Sequence, residues 1–218
     1  ATAHSTVEEL YLLNKAMRGF GSDNIDFRLR QSDFALDGKV TPWLGMPIAQ
    51  LSTLKRALVI GSFLRKDHPL VTTRLRAATK AGLRLSVLGG SDEELLMKVA
   101  HKLIAAPSDW LVALSEVVVA IAADKNIAVP AGFENVEASE QAKAIAASLV
   151  VVGDVDVPGA ILLGNAAAQH PQASKIHAAA QWIAEQTGCS FGYLVEAANT
   201  GGGHLVGATS GKGEAAFA

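Results

Sequence analysis

Apolar residues along this chain occur in two patterns, short continuous runs and longer stretches with helical spacing. Ala57-Leu-Val-Ile60 is a continuous run closed by Gly61-Ser62. Such a run suits a strand buried on both faces. A loop leads to His68-Pro69, where proline suits the first turn of a helix. Helical spacing covers Leu70 to Lys80, Ala81-Gly82 ends it, and Leu83 to Leu88 reads as the next strand. The same order then returns. Ala160-Ile-Leu-Leu163 is closed by Gly164-Asn165, His170-Pro171 opens a helix reaching Gln186, Thr187-Gly188 ends it, and Ser190 to Val195 is a strand. These are two similar βαβ units with right-handed crossovers, placed in two lobes or across one pseudo-symmetric sheet. The alternation predicts an α/β, Rossmann-like fold with a mainly parallel sheet and flanking helices.

The remaining segments fill in around these units. Ser5 or Thr6 caps a first helix, and Ser5-Thr-Val-Glu8 has the spacing of a capping box. That helix runs to about Arg18 and stops at Gly19-Phe-Gly21. Residues 22–50 read as irregular, with turn residues at Asp37-Gly38, Pro42, Gly45 and Pro47. Further helices are expected from Ser91 or Asp92 to Ala105, from Trp110 to Ala122 after Pro107-Ser108-Asp109, and from Glu137 to Ala147. The last leads to a strand at Leu149-Val-Val-Val152. Residues 1–218 read as one unit, or as two lobes of about 1–150 and 151–218.

Composition narrows the function classes. A chain of 218 residues buries roughly 70% of the surface it exposes when unfolded. The formal net charge of −2 gives no attraction to nucleic acid or anionic lipid. The single cysteine, Cys189, can form no internal disulfide and holds no iron–sulfur cluster, which needs about four thiolates. The longest apolar stretch, Trp110 to Ala123, contains Glu116 and falls short of the ~18 to 20 residues of a membrane helix. No signal peptide is visible, so a soluble, cytoplasmic chain is expected, without direct membrane insertion. Both ends read as cut from a longer protein.

In open α/β sheets, ligands bind beyond the carboxyl ends of the strands. Those ends are expected at Gly61-Ser62, Gly89-Gly90-Ser91, Gly153-Asp154 and Gly164-Asn165. Glycine there lets backbone approach a ligand, which makes Gly61, Ser62, Gly164 and Asn165 the candidate binding residues. A Rossmann glycine fingerprint is missing, because Gly19-Phe-Gly21 follows a helix rather than a strand. Gly201-Gly-Gly203 lacks a downstream Gly-Lys-Ser/Thr and reads as a turn. His170 and His177 lie two helical turns apart, but no neighbouring Asp, Glu or Cys completes a metal shell. His68 and His170 each precede a proline, a place for capping or backbone hydrogen bonds. Glu8-Glu9 and Glu93-Glu94 fall in expected first turns, where they suit the helix dipole. No catalytic residue and no metal site are assigned.

Several stretches in order resemble the molybdopterin oxidoreductases. Gly21-Ser-Asp-Asn-Ile-Asp-Phe-Arg-Leu-Arg30 is similar to their G-T-N-N-x-D-x-R-x-R stretch. Val59-Ile-Gly-Ser62, His68-Pro69 and Arg74-Leu-Arg-Ala-Ala-Thr-Lys-Ala-Gly82 follow, then Gly164-Asn165, Gln169-His170-Pro171 and Glu196-Ala-Ala-Asn199 with Gly201-Gly202. Within that family, Glu9-Leu-Tyr-Leu, Leu64-Arg-Lys-Asp-His-Pro69 and Gln181-Trp-Ile-Ala-Glu-Gln-Thr-Gly188 resemble the G subunits of bacterial NADH-quinone oxidoreductases. That resemblance implies a peripheral-arm segment partnered by other arm subunits on the cytoplasmic side of the membrane. Iron–sulfur clusters belong to the parent's N-terminal part and no cofactor to this segment. In cofactor-using relatives, such as formate dehydrogenases, the first unit binds the guanine nucleotide of the pterin cofactor. Here Phe63-Leu64 replaces the expected Asn-Pro, Gly89-Gly90-Ser91 replaces an Asp-Pro-Arg, and no acidic residue stands ready for a ribose or guanine edge.

Overall fold

The computed structural model describes residues 1–36, 38–151 and 157–210. Strands β1 (Arg56–Ile60), β2 (Arg84–Gly89), β3 (His101–Ile104), β4 (Gly159–Leu163) and β5 (Ser190–Tyr193) form one sheet in the order β3-β2-β1-β4-β5. Every pairing is parallel. The two expected βαβ units therefore share a sheet, with β1 hydrogen-bonded to β4. Both central strands are buried along their whole length, as continuous apolar runs require when helices cover both faces.

Side chains alternate across the sheet. Ala57, Val59, Ala160 and Leu162 join a core with Leu75 and Ala78 of α3 (Pro69–Lys80). Leu58, Ile60, Ile161 and Leu163 join a core on the other face. That face carries α4 (Trp110–Lys125), α5 (Glu140–Leu149) and α7 (Ala173–Thr187). Right-handed crossovers that leave β1 and β4 in opposite directions must put α3 and α7 on opposite faces. The result is a doubly wound sheet with its switch point between β1 and β4.

The helix ends follow capping rules. The first helix, α1 (Val7–Gly19), carries its capping box one residue later than expected, with Thr6 and Glu9 exchanging hydrogen bonds. Ser139 caps α5, while Asn126 and Gly188 close α4 and α7 in the left-handed conformation. Two short helices, α2 (Leu64–Asp67) and α6 (Asn165–Ala168), occupy what reads as loop, and α7 begins at Ala173, after the His170-Pro171 pair rather than at it.

Three expectations are corrected. Ser91 to Ala105 is not a helix, because Leu96 sits at φ +53° and residues 101–104 pair with β2 as β3. Helix-forming residues yield there to the backbone bonds that an open sheet edge offers. Lys102 also pins the preceding loop, bonding Asp92 Oδ1 and the Glu93 carbonyl, so Glu93-Glu94 is in no helix. Leu149 ends α5 instead of starting a strand, and Val150 is its C-cap; Val152 and Gly153-Asp154 lie outside the described residues. Finally, Gly201-Gly-Gly203 lies inside α8 (Thr200–Leu205), where a Cβ on Gly203 would meet the Phe27 ring at 2.6 Å.

Residues 22–50 are largely irregular and protect a sheet edge. The Tyr193 amide donates to the Trp43 carbonyl at 2.7 Å. A Cβ on Gly45 or Gly192 would fall 1.9 Å from a carbonyl oxygen of the facing segment. Backbone at 43–45 thus lies directly on β5 and blunts its unpaired edge.

Candidate functional site

At the switch point the turns after β1 and β4 lie against each other. The Gly164 amide donates to the Ile60 carbonyl at 2.8 Å, and the Gly61 amide donates to Leu88 at 2.9 Å. The Ala166 amide donates to the Gly61 carbonyl at 3.0 Å, and Ala167 shares that acceptor. Gly61 has φ +61°, and a Cβ there would meet Ala167 N and the Trp110 ring at 2.7 Å. A Cβ on Gly164 would lie 2.3 Å from the Ser62 Cβ. The glycines are therefore required by the approach of two turns to each other. All four expected residues, Gly61, Ser62, Gly164 and Asn165, meet here. Ser62 Oγ and Asn165 Oδ1 are buried without a hydrogen-bond partner, which costs roughly 1–3 kcal/mol for each group.

The turns separate two cavities, each of about 310 Å³. One lies beyond β1, β2 and β3 and includes Gly61, Ser62, Phe63, Gly89, Gly90 and Ser91. Phe63 is 41% exposed at this cavity, and Trp110 forms another wall. The Trp110 indole N–H donates to the Ala105 carbonyl, and its ring stacks on His170 with centroids 6.0 Å apart. An acidic residue does stand beside this cavity, contrary to the expectation from the residues after β2: Glu93 lines it, from the loop that Lys102 pins.

The other cavity lies beyond β4 and β5, and Asn165 lines it while Ser62 does not. Its charged wall groups are engaged within the protein. Arg28 is buried and forms a two-point ion pair with Asp26, bonding Oδ1 at 2.8 Å and Oδ2 at 2.5 Å. Burial alone would raise the Asp26 pKa, but bonds and charge from Arg28 hold it below its ordinary value. Arg30 faces Glu196 at 3.4 Å. Asp33 accepts from the Ser174 amide at 2.8 Å and its hydroxyl at 2.6 Å. Those bonds outweigh burial and lower its pKa too.

Tyr193, also on this wall, heads a directed chain of hydrogen bonds. Gln181 Nε2 donates to Glu185, so its Oε1 faces His177 Nε2 at 2.9 Å. His177 must donate there. Burial lowers its pKa, partly offset by Gln181, so the ring is neutral and its Nδ1 is an acceptor. The Tyr193 hydroxyl, 2.6 Å from Nδ1, is therefore the donor. Burial raises the Tyr193 pKa strongly, which keeps that proton in place.

His170 behaves as expected of an imidazole beside proline: Nε2 bonds the Pro107 carbonyl and Nδ1 accepts from the Gln172 amide. His68 does not, for it makes no side-chain cap and its Nε2 is buried without a partner. Cys189 lies partly buried near Gly159 and Arg56, and burial raises its pKa, so it is a poor nucleophile. Among the described residues no group of three or more His, Cys, Asp or Glu could hold a metal, and no helix is long and apolar enough to cross a membrane. Glu93 and Lys102 were not legible as wall residues, because β3 and the loop before it read as a helix; Trp110 was placed at the start of its helix, but its ring's position against the turns depends on packing. Arg28 and Arg30 carry a signal only through the family-like stretch ending at Arg30.

Fold and site thus define a doubly wound α/β domain with cavities on both sides of its switch point. The chain belongs to the molybdopterin oxidoreductase family, whose model, described as "Molybdopterin oxidoreductase", matches residues 1–214. No curated protein matches the chain.

Proposed function

We propose that this chain is a structural, cofactor-free segment of the large peripheral-arm subunit of a bacterial NADH-quinone oxidoreductase. The parent complex would carry electrons from NADH through iron–sulfur clusters to quinone, coupled to proton translocation. This segment would sit among other arm subunits on the cytoplasmic side of the membrane. The segments Glu9-Leu-Tyr-Leu, Leu64–Pro69 and Gln181–Gly188 support that assignment, while the family match fits it and a molybdenum enzyme equally.

One observation carries the cofactor-free reading. A dinucleotide phosphate at a switch point needs free backbone amides. Here the Gly61 and Gly164 amides are bonded to the strand carbonyls of Leu88 and Ile60, and the Ala166 and Ala167 amides to the Gly61 carbonyl. Phe63 adds a bulky ring beside the same turn, and the unpartnered oxygens of Ser62 and Asn165 are sealed from solvent. These residues do not fit a pterin–guanine dinucleotide. The test is molybdenum and pterin analysis of the purified parent subunit. Only trace molybdenum is expected; one molybdenum and its pterin per chain would overturn the reading.

A second reading, a segment of a molybdenum enzyme such as a formate dehydrogenase, draws support from the same unpartnered oxygens, which a nucleotide could satisfy after a side-chain shift. Saturable guanine-nucleotide binding at micromolar concentration, abolished by replacing Ser62 and Asn165, would establish it. A molybdenum-ligating Cys or selenocysteine upstream in the parent gene would point the same way.

A further inference from the structure

We propose that the cavity beyond β4 and β5 is a binding site for a small, neutral, mostly apolar ring compound with one hydrogen-bond donor. This goes beyond the structural role proposed above and does not depend on whether the switch point ever held a nucleotide. The cavity's volume, about 310 Å³, is at the lower end of small-molecule sites, which are concave and largely apolar with a few placed polar groups. Phe27, Leu36, Val40 and Leu194 supply apolar wall.

Charge neutrality of the ligand follows from the pairing of the walls. Arg28 is bonded to Asp26, Arg30 faces Glu196, and Asp33 is bonded to Ser174. An anion would compete with Asp26 or Glu196 for an arginine. A cation would face both arginines. A neutral ring disturbs none of these pairs and desolvates no charge of its own. The donor requirement comes from Tyr193. Its proton is committed to His177 by the chain that starts at Glu185, so any bond the phenol makes to a ligand is one it accepts.

Three probes on one naphthalene ring system test this on the whole chain at neutral pH: 2-naphthol, 2-methoxynaphthalene and 2-naphthoate, followed by calorimetry and ligand-observed NMR. We expect 2-naphthol to saturate, at least about tenfold tighter than the other two, since an unmet buried acceptor or a desolvated charge costs that much or more. Ala168→Leu, which fills the cavity from α6, should weaken 2-naphthol by about tenfold or more with an unchanged unfolding midpoint. If that variant unfolds, Val40→Trp on the irregular segment replaces it. Tyr193→Phe should erase the preference for 2-naphthol over its methyl ether. Preferred binding of 2-naphthoate, equal binding of 2-naphthol and its ether, no saturation below millimolar probe, or affinity untouched by the filling variants would each overturn the proposal.

Discussion

The two βαβ units share one grammar and end in different chemistry. Each runs from a buried strand through a glycine turn, a short helix, His-Pro and a long helix to a second strand. In the first, α3 packs on one face and the cavity beyond β1 and β2 is walled mainly by rings and aliphatic side chains. In the second, α7 packs on the other face, and the cavity beyond β4 and β5 adds charged side chains and Tyr193, which bonds His177, to an apolar wall. The paired histidines show the lesson most sharply. His170 is bonded at both ring nitrogens and stacked on Trp110, because α4 lies on its face of the sheet. His68 has a buried nitrogen with no partner. Equal spacing in sequence places a residue equally in its unit but does not supply equal neighbours.

The comparison can be broken most forcefully at its shared base. Arg56 on β1 is buried and donates to the carbonyls of Leu149, Val157 and Thr187, tying the end of α5 and the end of α7 to the sheet. Arg56→Met should cost about 3 kcal/mol or more, since several buried acceptors lose a charged donor at once. Denaturant unfolding would measure it; a loss under about 1 kcal/mol would show that the clamp is dispensable. Next come the turns that hold the units together. Gly164→Ala places a methyl against Ser62, and should destabilise by about 2–3 kcal/mol.

Smaller effects separate the units. His170→Leu should cost about 1–3 kcal/mol, leaving a carbonyl and an amide without partners. His68→Leu should be neutral or slightly stabilising, because it deletes an unmet polar atom. Equal losses in a pair of melting curves would refute the contrast. Burial lowers the pKa of both His68 and His177 below 6.5, against smaller raising effects of Asp67 and Gln181. The unfolded chain therefore binds protons first as pH falls below 6.5. Stability from these two groups is full above that value and declines below it until the folded-state pKa is passed. Unfolding midpoints should drop between about pH 7 and pH 5.5, and His177→Gln should flatten the slope. The smallest effect is at the N-terminus, where Thr6→Ala should cost about 1 kcal/mol through loss of the α1 cap.

Much of the fold was legible. The continuous runs at 57–60 and 160–163 became the central strands, since only burial on both faces suits four adjacent apolar residues. The helices at 69–80 and 110–125 follow from proline starts and apolar spacing. The stretch from Ser91 to Ala105 was misread because its Glu, Leu and Met content favours a helix in isolation, and no local signal announces an unpaired edge of β2. Of the candidate site, the four turn residues were named from the rule that ligands gather beyond strand ends, and the structure brings them together. That the Gly61 and Gly164 amides would be taken by Leu88 and Ile60, and that Ser62 and Asn165 would line different cavities, depends on how β1 pairs with its neighbours in the sheet.

What the sequence determined by itself is the set of parts: buried strands, capped helices, the repeat of one unit, and a family whose motifs survive in order. Local sterics and hydrophobic burial act over a few residues, so they can be read a few residues at a time. The tertiary structure alone decided which carbonyl takes each amide at the switch point, which arginine meets which carboxylate, and which histidine is satisfied. Those pairings join residues far apart in the chain, as Arg56 is from Thr187, and their energy exists only once the sheet has brought them within hydrogen-bonding distance.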